Sequence, residues 1–449
     1  MPSGEDTGGA PQRLALVAAL AVAAFAFTVW VFYPGVMNYD ARYILGYART
    51  GDYGDWQSPV MTVLWALIDP LDPGSGSMFL LIATVYWLGF GVLAVALARQ
   101  SLWRAVVLVL LALSPPAFIM VGMIWRDVLL AALWLLAAAL AFAVAGSRAS
   151  VRVPVQIVAV ALLALGVLLR PNALSAAPIL LAALVWPAGF SWRRAAILFL
   201  PAALAGFALV HIVYYGIIGA TRNNPLHSIM VFDLGGISHF AGQNRFPGEW
   251  TPAQTQLIVE RCYQPVEWNS YWTFEPCSFV MQRLEAAKIF GSPALVAAWR
   301  RAILDHPLAY LRHRWAYMRT FLLDANLTMW TRDLEDPSKI AFAGNPRLTA
   351  VKAVNDALVP TPLLRAGTWL ALCAVVALLG WRRRDTPAGT LALGACGSAV
   401  VYVLTFAALG VASDYRYAYW AVLAALAGAA VIAPSWRDRR RSADAPPRS

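Results

Sequence analysis

The stretch LALVAALAVAAFAFTVWVF, Leu14 to Phe32, runs directly into YPGVMNYDARYILGYARTGDYGDWQSP, Tyr33 to Pro59. The first half carries no charge and is about as long as the roughly 20 apolar residues that a helix needs to cross a bilayer. The second half turns abruptly to acids, arginines and aromatic rings. This alternation of apolar span and short polar loop recurs along the chain. Hydrophobic residues make up 60% of the 449 and charged residues only 13%, against roughly 25% charged in a soluble protein. These features predict an all-α polytopic membrane protein.

About ten spans are expected: 14–32, 78–98, 105–123, 128–145, 153–169, 173–190, 195–215, 363–381, 389–411 and 417–432. No small-residue cleavage site follows the first, which reads as an uncleaved signal anchor. The net charge of +11 would suit a nucleic-acid binder, but its distribution points elsewhere. Arginines cluster at Arg99 and Arg104, Arg148 and Arg152, Arg193 and Arg194, Arg382 to Arg384, and from Arg437 to Arg441. All of these fall in alternate loops or at the end of the chain, so by the positive-inside rule both termini are expected in the cytoplasm of a bacterial inner membrane.

Two further apolar stretches do not fit as spans. Ser58 to Ile68 is too short and is flanked by Asp55 and Asp69, and Pro293 to Leu323 mixes five arginines with Trp and Tyr. Both are expected to lie along the interface. The expected organisation is therefore a membrane module, 1–215, with a first outer loop, 33–77; an extracytoplasmic lid, 216–362; three C-terminal spans, 363–434; and a cytoplasmic tail, 435–449. Cys262 and Cys277 both fall in the lid. In an oxidising compartment they are expected to form a disulfide, closing a loop of about 15 residues worth roughly 3 kcal/mol. Cys373 and Cys396 lie inside spans and read as packing residues.

The remaining charges concentrate in the outer loops. The first holds Asp40, Arg42 and Asp55 beside Tyr39 and Trp56. A half-desolvated Asp40 could have its pKa raised towards neutrality and act as a general base; alternatively it caps the helix that follows. The second is Arg126 and Asp127, readable as a snorkelling ion pair with Asp127 as an N-cap. The third places Arg170 before Pro171, and the last carries Asp414 and Arg416. A sugar donor on a polyprenyl phosphate presents its anion at this depth. Arginines can bind that phosphate as the leaving group, a carboxylate can deprotonate an acceptor hydroxyl, and aromatic rings can stack on sugars.

With these residues the chain resembles the GT-C superfamily of polyprenyl-phosphate-sugar-dependent glycosyltransferases, in the bacterial branch related to protein mannosyltransferases and aminoarabinose transferases. The motifs are the first-loop Asp in YPG...D...GDYGDW.SP, the second-loop acid, the late DYRY and the stretch AWRRAILDHPLAYLRHR. The resemblance implies an inverting glycosyltransferase that moves a sugar to a hydroxyl on a lipid, glycan or protein. Asp40 would be the base and Asp127 a second catalytic acid that holds the acceptor or, in some relatives, a divalent metal. It makes Arg126, Arg170 and Arg416 the donor-phosphate ligands, with Tyr39, Arg42, Asp55, Trp56, Gln57 and Asp414 lining the substrate site. The chain departs from the pattern at Ala41, where a Ser often follows the Asp, and at Gln57, Ser58 and Pro59, where relatives often carry His-Pro-Pro. No nucleotide-binding motif appears. Two other readings stay open: a lipid or glycolipid flippase, which would place ionisable groups near the bilayer midplane, and a lipid-linked glycan ligase or polymerase, which would not need Asp40.

Overall fold

The computed structural model describes residues 9–324 and 345–433; the tail 435–449, with its arginine cluster, lies outside the described residues. Among the described residues every regular element is helical, and the only β contacts are three isolated bridges.

Helix α1 (Gly9–Phe32) is the first span. It is followed by α2 (Tyr39–Thr50) and α3 (Pro59–Ile68) in the first outer loop, and by the second span, α4 (Gly76–Ala98). The expected third span is two helices, α5 (Leu102–Ala112) and α6 (Pro115–Val121), bent by 57°. The break falls at Ser114-Pro115-Pro116, where proline removes a backbone donor and disfavours the helical conformation of the residue before it. Next come α7 (Arg126–Ala143) and α8 (Ala149–Leu169). The expected sixth span is also interrupted: a 3-10 turn over Pro171–Ser175 precedes a short α9 (Ala177–Val185). Helix α10 (Trp192–His211) continues through a wider turn to Ile217.

The long segment between α10 and the C-terminal membrane helices contributes α11 (His227–Ala241), α12 (Pro252–Glu260), α13 (Phe279–Ala286), α14 (Pro293–Asp305), α15 (Pro307–Leu323) and α16 (Pro346–Leu358). The C-terminal membrane helices are α17 (Ala366–Trp381), α18 (Pro387–Leu409) and α19 (Tyr419–Ile432). Among the described residues seven helices are long and apolar enough to cross a membrane, or eight if the bent α5–α6 pair is counted as one span; α17, at 16 residues, is a shorter apolar helix.

Burial separates the centre of the bundle from its rim. In the span containing α19, 89% of the apolar window is buried inside the protein, whereas in the α10 span none is, so α19 is central and α10 lies at the rim. Trp134 of α7 meets Trp420 of α19 edge-on at 5.5 Å, and the Trp420 indole donates to Ser398 of α18 at 3.0 Å. In an apolar core of this kind the indole N–H needs such an acceptor.

The three bridges gather the outer loops over this core. Val36 pairs with Met123, Gly54 with Thr221, and Glu267 with Ala412. Gly35 enables the first: it adopts φ +95°, and a Cβ there would lie 2.8 Å from Phe79 Cβ, a backbone and a clearance that suit glycine.

The segment expected as one interfacial stretch from Pro293 to Leu323 divides at His306-Pro307. Helix α15 corrects part of that expectation. His313, within the stretch expected to lie along the interface, is fully buried, as is Asp233 on α11. Asp233 is a hub: it takes Arg314 Nη2 at 2.7 Å and His313 Nε2 at 3.1 Å on one oxygen, and the Trp299 indole at 2.7 Å on the other. Burial lowers the His313 pKa, against the pull of Asp233, so the imidazole is neutral. Cys262 and Cys277 form the expected disulfide, and Cys373 and Cys396 are buried in the bundle.

Candidate active site

The candidate site lies where α2, the start of α7, the end of α8 and the start of α19 meet. Its geometry begins with a change of cap. Asn38, not Asp40, caps α2, accepting from the Ala41 N–H at 2.9 Å. Asp40 is two residues further on, within the first turn, and its carboxylate is left for other partners: Arg416 Nη1 lies 2.6 Å from Oδ2, and the Gln57 amide donates to Oδ1 at 3.0 Å. Gln57 is presented at this distance because Ser58 caps α3 through the Met61 N–H, fixing how the chain enters that helix.

The two adjacent charges at the start of α7 do not pair with each other, contrary to the ion-pair reading. Asp127, 3% exposed, instead takes Arg170 at 2.7 Å. Arg170 is available because α8 stops at Leu169: Arg170 is extended, and Pro171 begins the next turn. Asp127 makes no N-cap either, since Trp125 holds that position without a side-chain cap. Arg126 is half-buried and has no hydrogen-bond or ion-pair partner among the described residues.

Arg416 sits in the 3-10 turn ahead of α19 and faces three acids. Besides Asp40, its Nε lies 3.1 Å from Asp414 and 4.0 Å from Asp127. Its guanidinium also lies over the Trp125 ring at 5.0 Å, while Arg170 lies over Tyr417 at 4.8 Å. Aromatic faces stabilise arginine once water is removed. The chain leading into this turn is held by the segment between α10 and α17: Arg314 donates to Gly410 O at 2.7 Å, Tyr317 to Ala412 O at 3.1 Å, and the Trp268 N–H to Val411 O at 2.9 Å. The Asp233 hub thereby supports the loop that carries Asp414 and Arg416.

Three arginines and three aspartates thus meet with formal charges that cancel. The expected rise of the Asp40 pKa is not what the site produces. Burial pushes the carboxyl up, but Arg416 and Arg126 beside it, with hydrogen bonds from Arg416 and Gln57, outweigh burial and hold it at about 2. Asp414 moves the other way, because its burial outweighs Arg416.

The other sequence-proposed residues divide into two groups. Asp55 is occupied by the Tyr215 hydroxyl at 2.8 Å and the Asn223 N–H at 2.6 Å, which fastens the first loop to the segment after α10. Trp56 packs against Trp268 and Trp272, with ring centroids 5.8 and 5.2 Å away. Tyr39 and Arg42 line an open cleft of about 680 Å³ along α2, together with Tyr43 and Tyr47. A divalent metal does not fit this arrangement. The place a cation would take among Asp40, Asp127 and Asp414 is filled by the Arg416 guanidinium, and no group of three His, Cys, Asp or Glu among the described residues is placed to hold a metal.

No family model and no curated protein matches the sequence. Among solved structures the chain is similar to ArnT from Cupriavidus metallidurans in its apo state, at 16% identity and a TM-score of 0.33, covering 95% of this chain and 78% of that one. It is also similar to the same protein bound to undecaprenyl phosphate, at 16% identity and a TM-score of 0.32, covering 93% and 77%.

Proposed function

We propose that this chain is an inverting glycosyltransferase of the bacterial inner membrane. It would transfer a sugar from a polyprenyl-phosphate donor to a hydroxyl acceptor at the extracytoplasmic face, with both termini in the cytoplasm. The observation that carries this reading is Arg126: a half-buried arginine with no hydrogen-bond or ion-pair partner among the described residues, near enough to Asp40 to act on its charge, at the end of a membrane bundle. Buried or half-buried cations are normally paired, so an unpaired one at a charge-balanced site suits an anionic ligand.

In this reading the donor phosphate lies on Arg126 and Arg416, with its lipid chain running down the bundle. Arg170 stays on Asp127 and fixes the floor of the site. The acceptor hydroxyl enters from the α2 cleft, where Tyr39 and Tyr43 present exposed faces suited to a sugar ring. It attacks the anomeric carbon on the side opposite the phosphate. The new C–O bond forms as the bond to the phosphate oxygen breaks, the phosphate leaves as an anion held by arginine, and the hydroxyl proton passes to Asp40. Preorganised positive charge at the leaving group is the chief source of rate acceleration.

The test is transfer of label from radiolabelled polyprenyl-phosphate sugars by the purified protein, with membrane extract supplying acceptors. Transfer that Asp40→Asn abolishes without loss of folding supports the reading, and the labelled product identifies the acceptor. Undiminished transfer by Asp40→Asn would remove Asp40 as the base. Binding of the lipid without transfer from any donor would favour lipid transport instead.

A further inference from the structure

We infer that Arg416 is a latch on Asp40, and that a lipid-linked phosphate releases it, so that the base becomes available only once the donor is bound. This deepens the glycosyltransferase reading and rests on it.

Both carboxylate oxygens of Asp40 are engaged by protein groups. Arg416 takes one oxygen at 2.6 Å and Gln57 the other at 3.0 Å. The groups facing it are Arg416 from the turn before α19, Arg126 from the start of α7 and Gln57 from the entry to α3. Asp127 and Asp414 stand behind Arg416, each within 4.0 Å of its Nε. A carboxylate held this far below its ordinary pKa is a weak acceptor for an alcohol proton.

A phosphate carrying one or two negative charges upsets this balance. The three arginines are not equivalent in how they can respond. Arg170 is buried on Asp127 at 2.7 Å, and withdrawing it would strand a carboxylate that is 3% exposed. Arg126 has no hydrogen bond or ion pair to give up among the described residues. Arg416 is shared among three carboxylates, and Asp414 keeps the Arg416 backbone N–H at 3.0 Å whatever the side chain does. Turning the guanidinium from Asp40 to the phosphate therefore exchanges one charge-assisted pair for another, and arginine offers the bidentate fork that phosphate favours. The same exchange removes a positive charge from Asp40 and places a negative one beside it. Arg416 is thus a positioning residue with two partners in sequence, and donor must bind before acceptor can react.

The experiment reads Asp40 protonation rather than turnover. A hydrophobic carbodiimide forms a stable adduct with protonated carboxyls, and peptide mass spectrometry reports the extent at each residue. Full-length protein in detergent would be labelled from pH 4 to 8 with and without undecaprenyl phosphate, and lipid retained after gel filtration would be measured in the same samples. We expect little Asp40 adduct across this range without lipid. With lipid bound, the adduct should rise at least tenfold at the acid end and fall with a midpoint inside the range. Arg416→Gln should show that midpoint without lipid. Retained lipid with Asp40 still unlabelled would overturn the latch and leave the donor reading standing. Failure to retain lipid would overturn the donor reading, and the latch with it. The wild-type comparison decides the matter even if Arg416→Gln does not fold.

Discussion

Arg126 and Arg170 lie at opposite ends of the α7–α8 pair in chain order but in one site, and their replacement should have opposite consequences. Arg170 is 10% exposed at its side chain and pairs at 2.7 Å with Asp127, whose next cation, Arg416, is 4.0 Å away. Arg170→Met leaves that carboxylate buried and almost unpaired, a loss of about 3–5 kcal/mol. Arg126→Ala removes no ion pair or hydrogen bond among the described residues, so stability should change by less than about 1 kcal/mol. What Arg126→Ala should remove is one charged contact to the lipid phosphate, about 1.5–3 kcal/mol. That corresponds to a loss of about 10- to 150-fold in affinity. Thermal unfolding in detergent and direct binding of undecaprenyl phosphate, measured on both variants, separate the two effects. If Arg126→Ala binds the lipid as tightly as the wild type, or melts as early as Arg170→Met, the division into a structural and a ligand-binding arginine is wrong.

Three other outcomes can be checked by similar means. The Asp40 pKa of about 2 lies below the ordinary aspartate value of about 3.9. A depressed folded-state pKa contributes stability that is complete above the unfolded value and lost as pH falls through the folded one. The stability advantage of the wild type over Asp40→Asn should therefore be flat above about pH 4, shrink below it and vanish near pH 2, as melting curves across pH would show. Replacing Cys262 with Ser opens the 15-residue disulfide loop and should cost about 3 kcal/mol, and a reductant should then shift the melting of the wild type but not of the variant. Asp233→Asn leaves Arg314 buried without its counter-charge, a loss of about 3–5 kcal/mol; because Arg314 also holds Gly410, limited proteolysis should show earlier cleavage around 410–414.

The parts of this protein legible in its sequence are those that lipid imposes. Apolar length declares the helices, because unpaired backbone is excluded from the bilayer whatever the partners. Pairing is another matter. Arg126 and Asp127 are adjacent, but consecutive residues on a helix point about 100° apart, and each turns to a different neighbour. Which neighbour is decided by distant backbone events: the stop of α8 at Leu169 and the 3-10 turn at Tyr415–Ala418. The burial of Asp40 could be read from its position after a span, but the arginine that reverses the effect of burial comes from the other end of the chain. Asp233 was missed although a signal was present. It stands alone among apolar residues in VFDLGGISHF, and the two glycines after it are where Tyr271 and His313 press against α11, leaving no room for a Cβ at Gly235 or Gly236. A lone acid followed by small residues on an apolar helix marks a place where other side chains must reach in, and here they bring the His313 and Arg314 pair that the acid requires.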